Sequence, residues 1–342
     1  MLRRVFFITL FLCSTSFASG NTHHEKSSKI FSGTSNKELA KTVADLLGLS
    51  LGKANIGRFN DGEIRIEIEE NVRNCDVFIL QSVCISPGST VNDNLMELFL
   101  MVRAAKRASA KKVTAIIPYY GYARQDRKTS TRAPISASDI AMILELAGAD
   151  HVIAMDLHCG QIQGFFHDIP VDDLHASPIF IPHLSRNQLQ NPVIVSPDAG
   201  GVTRAKILIE HLHKAGINAH LAIIVKQRAE AGVIESMNLI GNVSDSDVII
   251  VDDICDTAGT LVEAAKELKN QGAKRVFACI THPLFSEPAI DRISRSCIDK
   301  LFVTNTIPLR KEIPSNIEQL SIASLLADAI THASLSDSQR KP

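Results

Sequence analysis

The chain of 342 residues contains no tryptophan, and aromatic residues make up only 5% of it. Its 36 basic side chains nearly balance its 37 acidic ones, which leaves a net charge of −1. Nucleic-acid-binding proteins usually present a basic surface or aromatic side chains on which bases stack. The sequence offers neither feature, so we expect no nucleic acid among the partners of this protein.

Two common nucleotide-binding signatures are also missing. The one Gly-Lys pair, Gly52-Lys53, is followed by Ala54 and lacks the Ser or Thr that completes a Walker loop. The Gly-x-Gly-x-x-Gly fingerprint of dinucleotide-binding domains does not occur either. Any ATP that the protein uses must therefore be held in another way.

The seven cysteines show no Cys-x-x-Cys spacing, which is typical of reduced, buried thiols in a reducing compartment. The N-terminus points instead to export. It has the layout of a secretory signal peptide, with Arg3-Arg4, an apolar run at 5–13 and small residues at 16–18. An over-long translation start or a disordered extension is the alternative interpretation, and the run is too short for a stable membrane span. We exclude residues 1–28 from the fold and expect a cytoplasmic body, with organelle targeting or export left open.

Length and pattern together predict the architecture. A hydrophobic content of 45% and a charged content of 21% describe a globular protein, and the length suggests two domains. Strand-like apolar runs alternate with helical stretches, and this rhythm occurs twice. We predict an α/β fold of two similar domains, each a mainly parallel sheet flanked by helices. We place them at residues 29–172 and 173–332, followed by a polar tail at 333–342.

Several local elements can be predicted as well. Helices are expected at 36–47, at 136–147 and near 317–331, and the second of them is expected to begin with a Ser136-x-x-Asp139 capping box. Asn60-Asp61-Gly62 predicts a hairpin turn.

The most informative stretch begins with Val248–Val251, whose apolar residues predict a strand buried on both faces. Acidic side chains, a small-residue loop and a helix follow, and ligands bind at this end of a strand in open α/β sheets. A loop that opens a helix offers free N–H groups to a phosphate, while carboxylates beside it suit the hydroxyls of a sugar. An ordinary acidic, helix-capping turn is the alternative. The candidate sugar-phosphate residues are Asp252, Asp253, Asp256, Thr257, Ala258, Gly259 and Thr260.

Two other strand ends hold candidate ligand residues. All three tyrosines of the chain lie beside two arginines at 119–127, directly after an apolar strand, which favours a ligand loop over a solvated one. Asp156-Leu157-His158 ends another strand, and His158 is either a histidine with a structural partner or a metal ligand.

Seven motifs in this order resemble those of the ribose-phosphate diphosphokinase (phosphoribosyl-pyrophosphate synthetase) family, and the resemblance covers roughly residues 29–332. The motifs are Phe59–Glu63, Asn92–Glu97, Tyr122–Asp126, Asp156–His158, Ser196–Asp198, Lys226-x-Arg228 and Val251–Thr260. One departure is Ala258, where many members have Gly or Cys.

The resemblance implies a role for each motif. Lys226 and Arg228 would begin a catalytic loop, and His158 and Asp198 would associate with Mg²⁺. The seven residues from Asp252 to Thr260 named above would hold ribose 5-phosphate. The implied ATP-binding residues are Phe59, Asp61 and Glu63, contributed by a neighbouring subunit, together with Arg124, Gln125 and Asp126. A homo-oligomer, a hexamer built from dimers, is implied by this shared site.

The implied reaction transfers the diphosphoryl group of ATP to the 1-hydroxyl of ribose 5-phosphate, giving 5-phosphoribosyl 1-diphosphate and AMP. Two alternatives stay open. A phosphoribosyltransferase would share the 251–260 motif but lack the segments that face ATP. A non-catalytic regulatory homologue would keep the fold and lose the chemistry of the catalytic loop.

Overall fold

A computed structural model describes residues 28–230 and 233–339, with the side chains of 226–237 and 335–339 outside the description. In chain order the N-terminal half contains β1 (Ser28–Ser32), α1 (Lys37–Leu46), β2 (Ala54–Arg58), β3 (Ile64–Ile68), β4 (Asp76–Leu80), α2 (Val91–Arg107), β5 (Lys112–Ile117), α3 (Ser136–Ala147), β6 (His151–Met155), a 3-10 helix (Gly160–Phe165) and β7 (Val171–Leu174).

The C-terminal half repeats the alternation of strands and helices. It contains α4 (Ser177–Arg186), β8 (Val193–Ser196), α5 (Val202–Lys214), β9 (His220–Glu230), β10 (Val233–Ile240), β11 (Asp247–Cys255), α6 (Gly259–Asn270), β12 (Arg275–Pro283), α7 (Ala289–Ser294), β13 (Lys300–Thr304), β14 (Ile317–Leu320) and α8 (Ala323–Gln339).

Each half is built on one large sheet, and β2 and β3 form a separate two-stranded sheet in the N-terminal half. The N-terminal sheet has the order β1-β4-β5-β6-β7, and all its neighbouring strands are parallel. The C-terminal sheet has the order β10-β9-β8-β11-β12-β13-β14, and only β10 runs antiparallel to its neighbour. β4 and β6 are buried along their whole length, as expected when helices cover both faces of a parallel sheet. The two-sheet α/β architecture agrees with the prediction.

The carboxyl ends of strands from the two halves meet and are joined by buried polar contacts. Ser82 Oγ, just after β4, donates to the carbonyl of Thr306 at 2.7 Å. The His282 ring, at the end of β12, lies 3.1 Å from the carbonyl of Met155. Because ligands bind at these ends of parallel strands, the fold brings both sets of predicted site residues to one seam.

Two local predictions were wrong. Ser136 and Asp139 form no capping box, and Ser136 Oγ instead donates to the side chain of Gln125. The helix expected near 317–331 begins only at Ala323, because the preceding residues form β14 against β13.

Element ends also differ from the predicted domain limits. Ser28 pairs with Asp76 as the first residue of β1, so the excluded extension is one residue too long. The limit at 172/173 falls inside β7, and the expected polar tail from 333 includes the last residues of α8. The predicted signal-like segment lies outside the described residues. Within the described ranges, no helix is both long and apolar enough to cross a bilayer.

Candidate active site

The acid pair lies at the end of β11, where the sequence predicts a sugar-binding site. The Asp253 side chain is only 5% exposed, and that of Asp252 is 25% exposed. Arg204, in the first turn of α5, places its Nη1 3.4 Å from an oxygen of Asp253 and 3.7 Å from one of Asp252. On its other side, Asp253 Oδ2 lies 2.7 Å from His158 Nδ1. A buried cation and an imidazole therefore compensate the buried carboxylates.

These contacts separate the two acids electrostatically. Burial and the charge of Asp253 raise the pKa of Asp252 well above its ordinary value. Burial also opposes ionisation of Asp253, but His158 and Arg204 more than offset that effect and lower its pKa. The bond to Asp253 raises the pKa of His158. The pair therefore favours one ionised acid, Asp253, beside a neighbour that more readily keeps its proton.

The loop after the acid pair leads directly into a helix. Ala258 has a φ of +60°, and α6 begins directly after it at Gly259 without a side-chain cap. An uncapped helix leaves its first-turn N–H groups available to an anion. The Arg292 guanidinium, from α7, donates to the carbonyl of Thr257 at 3.0 Å.

The predicted ATP-facing loop meets the predicted ribose loop directly. Arg124 Nη1 forms a 2.8 Å salt bridge with Asp256 Oδ2. Burial opposes ionisation of Asp256, but hydrogen bonds from Ser286 and Arg124 lower its pKa. Next to this bridge is a cavity of about 500 Å³. Its lining includes Cys84, Ile85, Tyr119, Arg124, Gln125, Asp256 and Arg310. The structure thus offers a partly open cavity beside residues from both substrate motifs.

The remaining residue of that loop, Asp126, faces the His158 segment. Cys159 Sγ donates to Asp126 Oδ2 at 3.1 Å. Burial, followed by the interaction with Asp126, raises the pKa of the Cys159 thiol to about 11, so this cysteine stays protonated at neutral pH.

The two predicted metal residues have other partners. His158 is hydrogen-bonded to Asp253, and the Asp198 side chain accepts from the backbone N–H of Gly201 at 2.9 Å. Among the described side chains, no group of three or more His, Cys, Asp or Glu residues is arranged to hold a metal ion. This sparse donor set fits a magnesium ion that is bound mostly by water and substrate phosphates, not by a protein cage.

The other predicted site residues are not drawn into this cluster. Phe59, Asp61 and Glu63 lie on the tip of the β2–β3 hairpin, where Asp61 accepts from the Glu63 N–H. No hydrogen bond or ion pair within the described part of the chain joins that tip to the Arg124 loop. The backbone of Lys226 and Arg228 lies in β9, and their side chains are outside the description.

Sequence patterns missed Arg204 and the role of Asp156. Asp156, at a φ of +36°, accepts hydrogen bonds from Thr281 Oγ1 at 2.6 Å and from the Ala176 N–H at 3.0 Å. It therefore fixes the end of β6, from which His158 reaches the acid pair. The position of Asp156 directly before His158, at the end of a strand, was a sequence signal for its role. Arg204 gives no such signal, because it is a lone arginine early in a helix.

The chain has close relatives of known type. Residues 28–148 match the family model described as the N-terminal domain of ribose phosphate pyrophosphokinase, and residues 229–340 match the phosphoribosyl synthetase-associated domain. A ribose-phosphate pyrophosphokinase of Bacillus subtilis is 51% identical over 311 residues, which cover 91% of this chain and 95% of that protein. The chain belongs to the ribose-phosphate pyrophosphokinase family.

Two other members of the ribose-phosphate pyrophosphokinase family are also similar to the chain. The Burkholderia pseudomallei protein is 51% identical over 312 residues, covering 90% of this chain and 95% of its own. The crystal structure of phosphoribosylpyrophosphate synthetase from Mycobacterium smegmatis matches with a TM-score of 0.82 and 38% identity. That match covers 91% of this chain and 100% of the other. The family predicted from the sequence is confirmed; ribose-phosphate pyrophosphokinase and phosphoribosylpyrophosphate synthetase are two names for it. The predicted α/β fold is confirmed as well.

Proposed function

We propose that the protein transfers the β,γ-diphosphoryl group of ATP to the 1-hydroxyl of ribose 5-phosphate. The products are 5-phosphoribosyl 1-diphosphate and AMP. The observation that supports this most directly is the Arg124–Asp256 salt bridge, because it joins the motif assigned to ATP to the motif assigned to the sugar. Membership of the ribose-phosphate pyrophosphokinase family supports the same reaction.

The sugar would occupy the end of β11. We assign its 5-phosphate to the backbone N–H groups of Thr257–Thr260 and its ring hydroxyls to the acid pair, Asp252 and Asp253. Asp256 would lie between the sugar and the ATP loop, since it already bonds to Arg124.

ATP would bind on the other side of that bridge, against Arg124, Gln125 and Asp126. The resemblance to the family implies that Phe59, Asp61 and Glu63 complete its site from a second copy of the chain, and no described hydrogen bond or ion pair joins them to Arg124 within one copy. On that resemblance we propose a homo-oligomer, a hexamer built from dimers. We place the enzyme in the cytoplasm, where ATP and sugar phosphates are available.

The chemistry requires alignment and charge neutralisation more than covalent help from the protein. The 1-hydroxyl oxygen attacks the β-phosphorus, the bond from that phosphorus to the oxygen of AMP breaks, and the hydroxyl proton is lost. Lys226 and Arg228 would neutralise charge as it shifts onto the departing oxygen. Mg²⁺ arriving with ATP, beside His158 and Asp198, would add positive charge at the phosphates. We assign no residue as general base.

The test is release of AMP. The full chain is mixed with ATP and ribose 5-phosphate, with and without Mg²⁺, and AMP is measured by chromatography. We expect AMP and the diphosphorylated sugar in equal amounts, and none when the sugar is left out. Consumption of added 5-phosphoribosyl 1-diphosphate only when a nucleobase is present would indicate a phosphoribosyltransferase, and no turnover would indicate a regulatory homologue.

A further inference from the structure

Arg292 occupies an unusual position beside the loop that opens α6. The short helix that bears it, α7, packs against α6, and its buried Ala289 and Ile293 belong to the same apolar cluster as Ala258. This packing brings the guanidinium to the loop, where Nη1 donates to the carbonyl of Thr257 at 3.0 Å. A Cβ placed on Gly259 would lie only 3.4 Å from the same nitrogen.

The positive charge of Arg292 lies beside the N-terminus of α6. The N-terminus of a helix is the positive end of its dipole, so a guanidinium beside it is destabilising unless an anion lies close by. Over the described residues, Arg292 forms no salt bridge with a carboxylate, and its described side-chain hydrogen bond is to the Thr257 carbonyl. The Thr257 carbonyl occupies one of the five N–H donors that an arginine carries, which leaves others for a ligand.

We propose that Arg292 binds the 5-phosphate of the sugar substrate. The backbone N–H groups of α6 would contact the phosphate from one side, and the guanidinium would add a full charge from the side of Gly259. The inference rests on the proposed function, because it assumes that a sugar phosphate occupies this loop. It adds a side chain from outside the loop, and so predicts a residue that sets affinity for the phosphorylated sugar specifically.

Steady-state kinetics on Arg292→Ala provide the test. We expect the KM for ribose 5-phosphate to rise roughly 10- to 100-fold, as for loss of a hydrogen bond to a charged group, while the KM for ATP stays within about threefold. Arg295→Ala is the matched control, since Arg295 is an exposed arginine that ends the same helix. It should leave both KM values unchanged.

A second variant separates charge from scaffolding. Arg292→Gln keeps an N–H donor for the Thr257 carbonyl but removes the positive charge. If Arg292 binds phosphate, Gln should raise the KM for ribose 5-phosphate nearly as much as Ala does, and Arg292→Lys should recover part of the loss.

Two results would overturn the assignment of Arg292. The first is wild-type-like sugar kinetics in the Gln variant, which would mean that Arg292 only supports the Thr257 carbonyl. The second is an equal rise of both KM values in the Ala variant, which would mean general distortion of the site. A wild-type protein that releases no AMP would instead refute the proposed function.

Discussion

Arg204 is the residue whose removal should most disturb the acid pair. We consider Arg204→Met, which keeps much of the side-chain volume and removes the charge. In the wild type the guanidinium compensates Asp252 and Asp253 at distances of 3.7 and 3.4 Å, and only 16% of its side chain is exposed. The variant would leave ionised Asp253 buried with His158 as its remaining close partner.

Two estimates give similar magnitudes for the loss of stability. A unit-charge pair separated by 3.4 Å interacts by about 5 kcal/mol at an effective dielectric constant of ~20. Removing one partner of a buried ion pair typically costs about 3–5 kcal/mol. We therefore expect Arg204→Met to lose about 3–5 kcal/mol of unfolding free energy at pH 7.

The pH dependence has a definite sign. The folded state lowers the pKa of Asp253, so its ionised form stabilises the fold above the ordinary carboxyl pKa, and this contribution is lost as the pH falls through the folded-state value. Without Arg204 that contribution is smaller, although the hydrogen bond from His158 still favours the ionised form of Asp253. The difference between wild type and variant should therefore be largest near neutrality and should shrink below about pH 4.

Urea unfolding followed by circular dichroism provides the measurement, at one fixed protein concentration because association shifts apparent stability. Lys206→Met is the control, because Lys206 lies exposed on the same helix. It should change the unfolding free energy by less than about 0.5 kcal/mol. A loss of less than about 1 kcal/mol in Arg204→Met, or a loss that persists unchanged at low pH, would refute the compensation argument.

Three further outcomes are expected. Lys226→Ala should lower kcat at least ~10²-fold with little change in either KM, and unchanged turnover would remove it from the mechanism. NMR titration should give His158 a pKa above its ordinary value in the wild type and a lower one in Asp253→Asn, so their ionic contact weakens as pH rises through that value; equal pKa values would contradict the pairing. Deleting residues 1–27 should leave specific activity and oligomer size unaltered, as checked by the AMP assay and light scattering, and aggregation would place the segment in the fold.

Elements with a strong local signal were predictable. α3 spans Ser136–Ala147, the bounds expected from the sequence, although the capping box that suggested its start is absent. β11 followed by α6 matches the strand, loop and helix expected around the acid pair. These elements depend on apolar patterns that neighbouring residues share, and the phosphate loop depends on small residues at consecutive positions. Both kinds of information are contiguous in the sequence.

The failures involve partners outside the segment that was being predicted. Ser136 does not cap α3, because its hydroxyl bonds to Gln125 of the preceding loop. Residues 317–320 have helical neighbours but pair with β13 as an edge strand. The β9–β10 hairpin was also missed, since its second strand lacks clear alternation. In each case a tertiary contact outweighs a weak local preference.

The candidate site also has features that could be predicted from the sequence and features that could not. Its acids could be located because they follow a strand directly, but Arg204 meets Asp252 and Asp253 only after α5 packs beside β11. Likewise, the link from His158 to Asp253 joins the two halves of the chain, and no local pattern encodes it. The motif resemblance identified the candidate site residues but did not show which of them contact one another.

These contacts affect how well each of the two acids can bind a ribose hydroxyl. Asp253 is nearly buried and already bonds to His158 and Arg204, so its replacement should disturb the ATP side of the seam as well as the sugar side. Asp252 is more exposed, and its raised pKa makes it the member better able to offer either a proton or an acceptor to a hydroxyl. A loss of sugar affinity after substitution of Asp253 would therefore not identify a ribose contact. Substitution of Asp252 bears on that contact more directly, because fewer protein bonds are broken with it.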